Sequence, residues 1–182
     1  MRKNISILTG IVVCLIWSMT IFAQQSIEAD KSPVASHGYV LKPGEGEDTV
    51  GDGSSITKAS PRSGTQGVVF VEDKMPSAGT SGIHKHLEAD EFFYVVTGSG
   101  RILLGDEEHE IGPGDFVFVP VSTYHRIASG KDNPLHVIFV VDRPGLDEQF
   151  RLEFQGLDRT KMTVEEFNDV VRQYGTVYRT FD

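Results

Sequence analysis

The chain has 182 residues and a formal net charge of −9, because 26 acidic residues outnumber 17 basic ones. This length, with 39% hydrophobic content, fits one globular domain with its own core and leaves little room for a second. The acidic balance argues against nucleic acid as a partner, but an acidic surface does not restrict the substrate.

The first 23 residues have the layout of a secretory signal peptide. Arg2 and Lys3 precede an apolar stretch at residues 5–22, and the small Ala23 follows it. We therefore predict cleavage before Gln24 and a periplasmic or secreted protein. The alternative is an uncleaved membrane anchor at residues 5–22, since that stretch approaches the roughly twenty residues that cross a bilayer. Both readings export the domain, and the cleaved domain would have no membrane contact.

The single cysteine, Cys14, lies inside this N-terminal segment. The mature domain is then free of thiols and disulfides. Any metal that it binds must be held by histidine and carboxylate ligands.

The rest of the chain divides into a leader, a β-rich region and a C-terminal extension. Residues 24–66 are rich in Gly, Ser and acidic residues, and we expect one or two short strands there. Residues 67–145 contain short β-rich runs separated by turn residues. The runs are 67–73, 91–98, 101–105, 116–120 and 135–141. Such regular spacing predicts an antiparallel sandwich or barrel.

The C-terminal extension, residues 146–182, changes to a helical pattern. Thr163 and Glu166 have the spacing of a capping box, and Gly175 marks a helix end. Apolar residues recur between them at helical spacing: Val164, Phe167, Val170, Val171 and Tyr174. We predict one amphipathic helix at about 164–174, with its apolar stripe packed on the barrel.

Three histidines form a pattern that metal coordination explains. His84 and His86 are two residues apart, so on a β-strand both imidazoles point to the same side and can reach one ion. Glu91 opens the next run, and a hairpin would return its carboxylate to the imidazoles. His125 follows the run 116–120 and a turn, and it could supply a fourth ligand from a neighbouring strand.

Several alternatives remain open at this point. Glu88, which continues the alternation of 84 and 86, and Asp90 compete with Glu91 as the carboxylate ligand. The other histidines have no partner at ligand spacing; they are His37, His109 and His136. The four residues could also be surface groups, or belong to a barrel that binds a small molecule without metal.

The spacing of these residues resembles the first motif of the cupin superfamily. That motif has His-x-His, a glutamate three or four residues later, and then a glycine, and here it reads 79-GTSGIHKHLEADEFFYVVTG-98. Its spacing selects Glu91 as the carboxylate. The resemblance covers about residues 67–141 and implies an all-β fold, a double-stranded β-helix (jelly-roll) barrel.

The second cupin motif is matched at Gly114, Pro120 and His125. Ser122 stands where that motif has a glycine, and Ser129 where it has an asparagine. These departures affect the local turn and leave every presumed ligand in place.

The resemblance implies one divalent transition metal, held by His84, His86, Glu91 and His125. Three imidazoles and a carboxylate suit Fe, Mn, Ni, Cu, Co or Zn without choosing among them. Four protein ligands leave one or two positions for water, dioxygen or a chelating substrate. Glu91 could also be catalytic as a general base, a role that the resemblance implies for some dioxygenase cupins.

Segments 42–46 and 163–176 are similar to single-domain cupins of quercetin-dioxygenase-like type. This likeness implies a metal-dependent dioxygenase-like enzyme acting on a small flavonol- or enol-like molecule, and the signal-peptide layout implies that the enzyme is exported. Two other functions stay open. One is a non-redox metal lyase, decarboxylase or isomerase acting on a small acid or sugar, and the other is a non-catalytic barrel that binds a small molecule.

Aromatic residues near the ligands are candidates for the walls of a substrate pocket. They are Phe92, Phe93, Tyr94, Phe116, Phe118, Tyr124 and Phe139. Strand alternation allows about half of them to face inward. The resemblance finally implies a homodimer, paired through an edge strand or an exchanged terminal segment.

Overall fold

The structure, a computed structural model, describes residues 38–182. The predicted signal peptide, Cys14 and His37 lie outside these residues. The described part is built mainly from two antiparallel β-sheets that share one apolar core, which confirms the predicted all-β jelly-roll class. Within residues 38–182, no helix has the length and apolar character needed to cross a membrane.

Six strands form the first sheet. In spatial order they are β1 (Glu47–Asp48), β2 (Ser55–Ala59), β3 (Val69–Met75), β10 (Leu135–Val141), β5 (Glu91–Gly98) and β8 (Phe116–Val119). Strands β3, β10 and β5 alternate between buried and more exposed residues, as strands with one face on a core do. Their register places Phe139 opposite both Val71 and Phe93, and these side chains fill the core.

Five strands form the second sheet. In spatial order they are β11 (Thr176–Thr180), β4 (Ile83–His86), β9 (His125–Ser129), β6 (Gly100–Leu104) and β7 (Glu107–Ile111). Ile102 lies opposite Ile127 in this sheet, and both belong to the shared core.

Gly98 marks the point where the chain leaves the first sheet for the second. Its φ of +84° lies in the left-handed region, and a Cβ there would stand 1.9 Å from the Pro134 carbonyl oxygen. Only glycine avoids both penalties.

Two α-helices follow the barrel strands, α1 (Leu146–Phe154) and α2 (Val164–Val171). The Thr163 hydroxyl accepts from the Glu166 amide at 3.2 Å, and the Glu166 carboxylate accepts from the Thr163 amide at 2.9 Å. A short 3-10 turn, Arg172–Tyr174, continues α2.

Helix α1 and strand β11 were not predicted from the sequence. In α1, Asp147, Gln149 and Arg151 are buried together with Leu146, so polar residues make up most of its buried face. Arg151 satisfies its charge through Asp147 at 3.0 Å and through Glu47 of β1. This contact holds the β1–β2 hairpin against α1.

Candidate metal centre

The four predicted ligands meet at the inner side of the barrel. Their ligand atoms all lie within 4.8 Å of one another. His84 on β4 lies directly opposite His125 on β9, His86 is two residues along β4, and Glu91 opens β5. All four are buried, with His125 fully so. Strand alternation and one hairpin therefore bring together residues that are up to 41 positions apart.

Backbone carbonyls fix the tautomers of two imidazoles. Nδ1 of His84 lies 3.1 Å from the Gly82 carbonyl oxygen, and Nδ1 of His125 lies 3.0 Å from that of Thr123. A carbonyl oxygen only accepts, so each Nδ1 carries the proton and each Nε2 keeps its lone pair. Both rings thus offer Nε2 as a metal ligand, in the orientation that outer hydrogen bonds give to metal-binding histidines.

The remaining contacts test whether these residues fit a metal ion. Nε2 of His86 is hydrogen-bonded to Glu91 Oε2 at 3.1 Å. Nε2 of His125 comes within 2.8 Å of the same oxygen, but at an angle that makes no hydrogen bond, and it has no other partner among the described residues. A buried ring nitrogen without a partner is costly, and a metal ion bound between these groups would satisfy it. The donor set therefore fits one divalent ion.

The pKa shifts of Glu91 and His84 favour the forms of these residues that bind a metal. Burial raises the pKa of Glu91, but the nearby His86 and His125 outweigh burial and hold it below its ordinary value. Burial, together with His125 and His86, lowers the pKa of His84 well below its ordinary value. Burial also lowers the pKa of His125, but Glu91 outweighs this and raises it. An ionised carboxylate and a neutral His84 are the forms that bind a metal.

The other acidic residues and histidines that the sequence offered lie outside the cluster of four ligands. Glu88 is exposed, because β4 ends at His86 and its alternation stops there. Asp90 accepts from the Val121 amide at 2.8 Å, which ties two loops together. His109 is half-exposed near Glu107, and Nε2 of His136 lies 3.0 Å from Glu72.

A cavity of about 330 Å³ opens onto the cluster. His84 and Glu91 line it beside an apolar wall. The wall includes Phe93, Ile127, Phe139, Leu146 and Phe150. Residues of the β1–β2 hairpin and of the segment between β3 and β4 also line the cavity, among them Thr49, Ser55 and Ser81. A small molecule in the cavity would therefore contact both His84 and Glu91.

Only two of the seven candidate wall aromatics, Phe93 and Phe139, line this cavity. Four of the others lie on the outer face of β5 and β8, where Phe92 stacks on both Phe116 and Phe118 and Tyr94 is half-exposed. Tyr124 instead lies under the Arg179 guanidinium, 4.1 Å from its ring centroid.

Tyr178 is a site residue that the sequence reasoning missed. Its ring stacks on His84 with centroids 5.1 Å apart, and its hydroxyl accepts from Gln149 at 3.2 Å. Burial raises its pKa to about 12, so the phenol stays neutral. The β-branched and aromatic run 176–180 was the available signal for β11.

The cavity also carries two carboxyl groups that the sequence did not single out. Asp73 on β3 shares the inward side with Val71 and Met75, and burial raises its pKa to about 6. Burial likewise raises the pKa of Glu153 on α1. Both can therefore bind a proton closer to neutral pH than ordinary carboxyl groups.

Part of the chain is similar to known proteins. The family described as cupin domain matches residues 70–141. An uncharacterized protein of Methanocaldococcus jannaschii is 29% identical over 69 residues, which are 38% of this chain and 55% of that protein. The chain thus spans about half the length of this curated relative.

Two solved structures are also similar. A cupin protein from Bacteroides fragilis is 22% identical, with a TM-score of 0.41 over 44% of this chain and 70% of that one. KdgF from Halomonas sp. is 24% identical, with a TM-score of 0.43 over 49% of this chain and 77% of that one. All four residues of the candidate metal centre lie within the part of the chain that matches the cupin domain family, residues 70–141.

Proposed function

We propose that this protein is an exported metal-dependent enzyme with a dioxygenase-like reaction on a small flavonol- or enol-like molecule. The observation that carries the proposal is the opening of the buried His84, His86, Glu91 and His125 group onto a mainly apolar cavity of about 330 Å³. A cavity of this size suits a small organic molecule. When bound, the metal would supply Lewis-acid and redox chemistry at the cavity surface.

The protein's own residues would prepare the substrate. Phe93 and Phe139 provide an apolar surface for a flat ring and keep water from the centre. The Glu91 carboxylate faces the cavity and is held in the ionised form. It can accept the proton of a substrate hydroxyl that approaches His84.

The first test is elemental analysis of the exported protein, purified without a His tag. We expect near-stoichiometric Fe, Ni, Cu, Mn or Co, and loss of that metal in the variant His84→Ala/His125→Ala. His109→Ala/His136→Ala is the matched control and should keep the metal. Absence of metal, with no uptake on reconstitution, would leave a barrel that binds small molecules without catalysis.

The second test is oxygen consumption with quercetin as the flavonol probe. We expect uptake that depends on the metal and is abolished in Glu91→Gln, while the variant still binds metal with reduced affinity. Equal turnover of the probe without dioxygen would contradict a dioxygenase reaction.

A non-redox lyase, decarboxylase or isomerase is the second candidate. Asp73 and Glu153 favour it, because carboxyl groups with raised pKa values in a substrate cavity suit general acid catalysis. Anaerobic turnover of a small acid or sugar by the zinc-loaded protein, reduced in Asp73→Asn, would identify this function.

Export and a homodimer complete the proposal. The segment 1–23 has signal-peptide layout, and N-terminal sequencing should find Gln24 first. Strand β8 is a sheet edge that exposes Phe116 and Phe118, at 64% and 46%. A second copy could pair with this edge and cover both rings. Sedimentation should give a dimer for the native protein and a monomer for Phe116→Glu.

A further inference from the structure

Arg159 is a cavity residue that the metal site leaves unexplained. It opens the 3-10 turn Arg159–Lys161 between the two helices, and its side chain lines the same cavity as His84 and Glu91. Its Nη1 donates to the Ser81 carbonyl oxygen at 3.2 Å, three residues before His84. This hydrogen bond holds the guanidinium at the cavity wall.

Glu153, Asp73 and Arg159 all line the cavity, but they differ in the number of hydrogen-bond partners that the protein gives them. The Glu153 carboxylate accepts from Gln149 at 2.9 Å, and the Asp73 carboxylate is next to the Ser55 hydroxyl. Of the five N–H groups of Arg159, one has a hydrogen-bond acceptor in the part of the chain that the structure describes. No carboxylate of residues 38–182 lies within 4.0 Å of it; Glu153, on the same cavity, is farther away but near enough for the guanidinium to act on its pKa.

The N–H groups of Arg159 that have no acceptor within residues 38–182 indicate that a ligand bound beside them would be negatively charged. A guanidinium remains protonated at every pH a protein experiences, and its planar fork matches the two oxygens of a carboxylate. The apolar part of the cavity wall includes Phe93, Phe139 and Phe150, which suits a partner whose other end is hydrophobic.

We propose that Arg159 binds a carboxylate of the substrate, which narrows the proposed substrates from flavonols and enols in general to small enol-like organic acids with an aromatic or otherwise apolar body. This inference rests on the proposed function, since it assigns the substrate of the same cavity. The acid group lies at Arg159, the apolar body lies along the phenylalanine wall, and the reacting end faces His84 and Glu91.

The experiment is calorimetric titration of the metal-free and the zinc-loaded protein with 3-phenylpropanoate and with its neutral analogue, 3-phenylpropanamide. We expect the native protein to bind the acid about tenfold more tightly than the amide, or better, as a charge-assisted hydrogen-bonded pair implies. Arg159→Gln should remove this preference by weakening the acid alone. Unchanged amide binding shows that the cavity of the variant is intact.

Two further variants refine the test. Arg159→Lys keeps the charge but loses the fork, and it should retain part of the preference. Lys161→Gln, on the same turn but exposed and paired with Asp158, should retain all of it.

Three outcomes would overturn the proposal: equal binding of acid and amide by the native protein, tighter binding of the cationic 2-phenylethylamine, or an acid preference that needs zinc and survives Arg159→Gln. The titration of the metal-free protein separates this inference from the proposed function. A preference lost in Arg159→Gln supports acid binding even if no metal uptake or turnover is found.

Discussion

The inner faces of the two sheets occupy equivalent places in the barrel but carry different chemistry. The six-stranded sheet presents mainly apolar side chains such as Val71, Phe93 and Phe139. The five-stranded sheet presents His84, His86 and His125 beside a few isoleucines. Burying apolar groups stabilises the fold, whereas burying imidazoles costs free energy unless they are satisfied. The apolar face thus stabilises the fold. The buried imidazoles of the other face are explained by the binding of a ligand such as a metal ion.

The largest expected effect comes from the apolar face. Phe93→Ala removes a ring that is 4% exposed and should lower the free energy of unfolding by about 3–5 kcal/mol. Phe92→Ala, on the outer side of the same strand, should cost less than about 1 kcal/mol. Urea unfolding followed by circular dichroism measures both. Similar losses would mean that the two sides of β5 do not differ as described.

The histidine face should behave in the opposite way. Replacing His84, His86, Glu91 and His125 together by leucine removes a buried polar cluster and keeps similar volume. The metal-free variant should be more stable than the metal-free native protein by about 1–4 kcal/mol. Added zinc should raise the melting temperature of the native protein alone. A destabilised metal-free variant would show that the cluster supports the fold by itself.

Asp73 interrupts the apolar face of the six-stranded sheet. Its effect on the free energy of unfolding should depend on pH. Its pKa is about 6 in the folded protein, against an ordinary value of 3.8. Below about pH 4 the carboxyl group is mainly protonated in both the folded and the unfolded state. Its favourable contribution to the free energy of unfolding is lost as the pH rises through 6. The stability of the native protein relative to Asp73→Asn should therefore fall by at most about 3 kcal/mol between pH 4 and 7.

Glu72 supplies the control for that measurement. It is the outward neighbour of Asp73, and a hydrogen bond from Lys58 lowers its pKa. The stability of the native protein relative to Glu72→Gln should rise, not fall, over the same pH range. Urea unfolding of the native protein and the two variants at four pH values tests both predictions. If the stability differences for Asp73→Asn and Glu72→Gln change with pH in the same direction, the burial of Asp73 is not the cause of its pH dependence.

The smallest expected effect concerns the support behind the histidine face. Helix α2 packs Phe167 against Tyr178, and Tyr178 in turn stacks on His84. Thr163→Ala removes the α2 cap and should cost about 1 kcal/mol. Thermal unfolding of the metal-free protein measures the loss, and an unchanged midpoint would indicate that the capping box contributes little.

The metal centre could be predicted because its geometry is mostly local. His84 and His86 share a side of β4 by alternation, and the short hairpin returns Glu91 to them. The end of β4 at His86 excludes Glu88, and this strand end could not be read from spacing alone. The contribution of His125 required the cupin resemblance, since its pairing with His84 is a property of the whole fold.

The walls and opening of the cavity were harder to predict, because they depend on packing between distant segments. The inner residues of α1 include a buried ion pair, so its sequence does not follow the apolar pattern of a helix. Away from the cavity, strand β7 is almost entirely exposed, so its sequence lacks the alternation of apolar and polar residues that marks a strand. Arg159 belongs to a three-residue turn, and its hydrogen bond to Ser81 joins residues 78 positions apart.

The contact between Glu47 and Arg151 has a consequence for how this fold can diversify. It joins the β1–β2 hairpin to α1, and both elements border the cavity while lying outside residues 70–141, which match the cupin family. The four metal ligands all lie inside that range. Insertions or exchanges in the flanking segments can therefore reshape the cavity without moving a ligand, so the metal-binding group and the cavity walls can evolve separately.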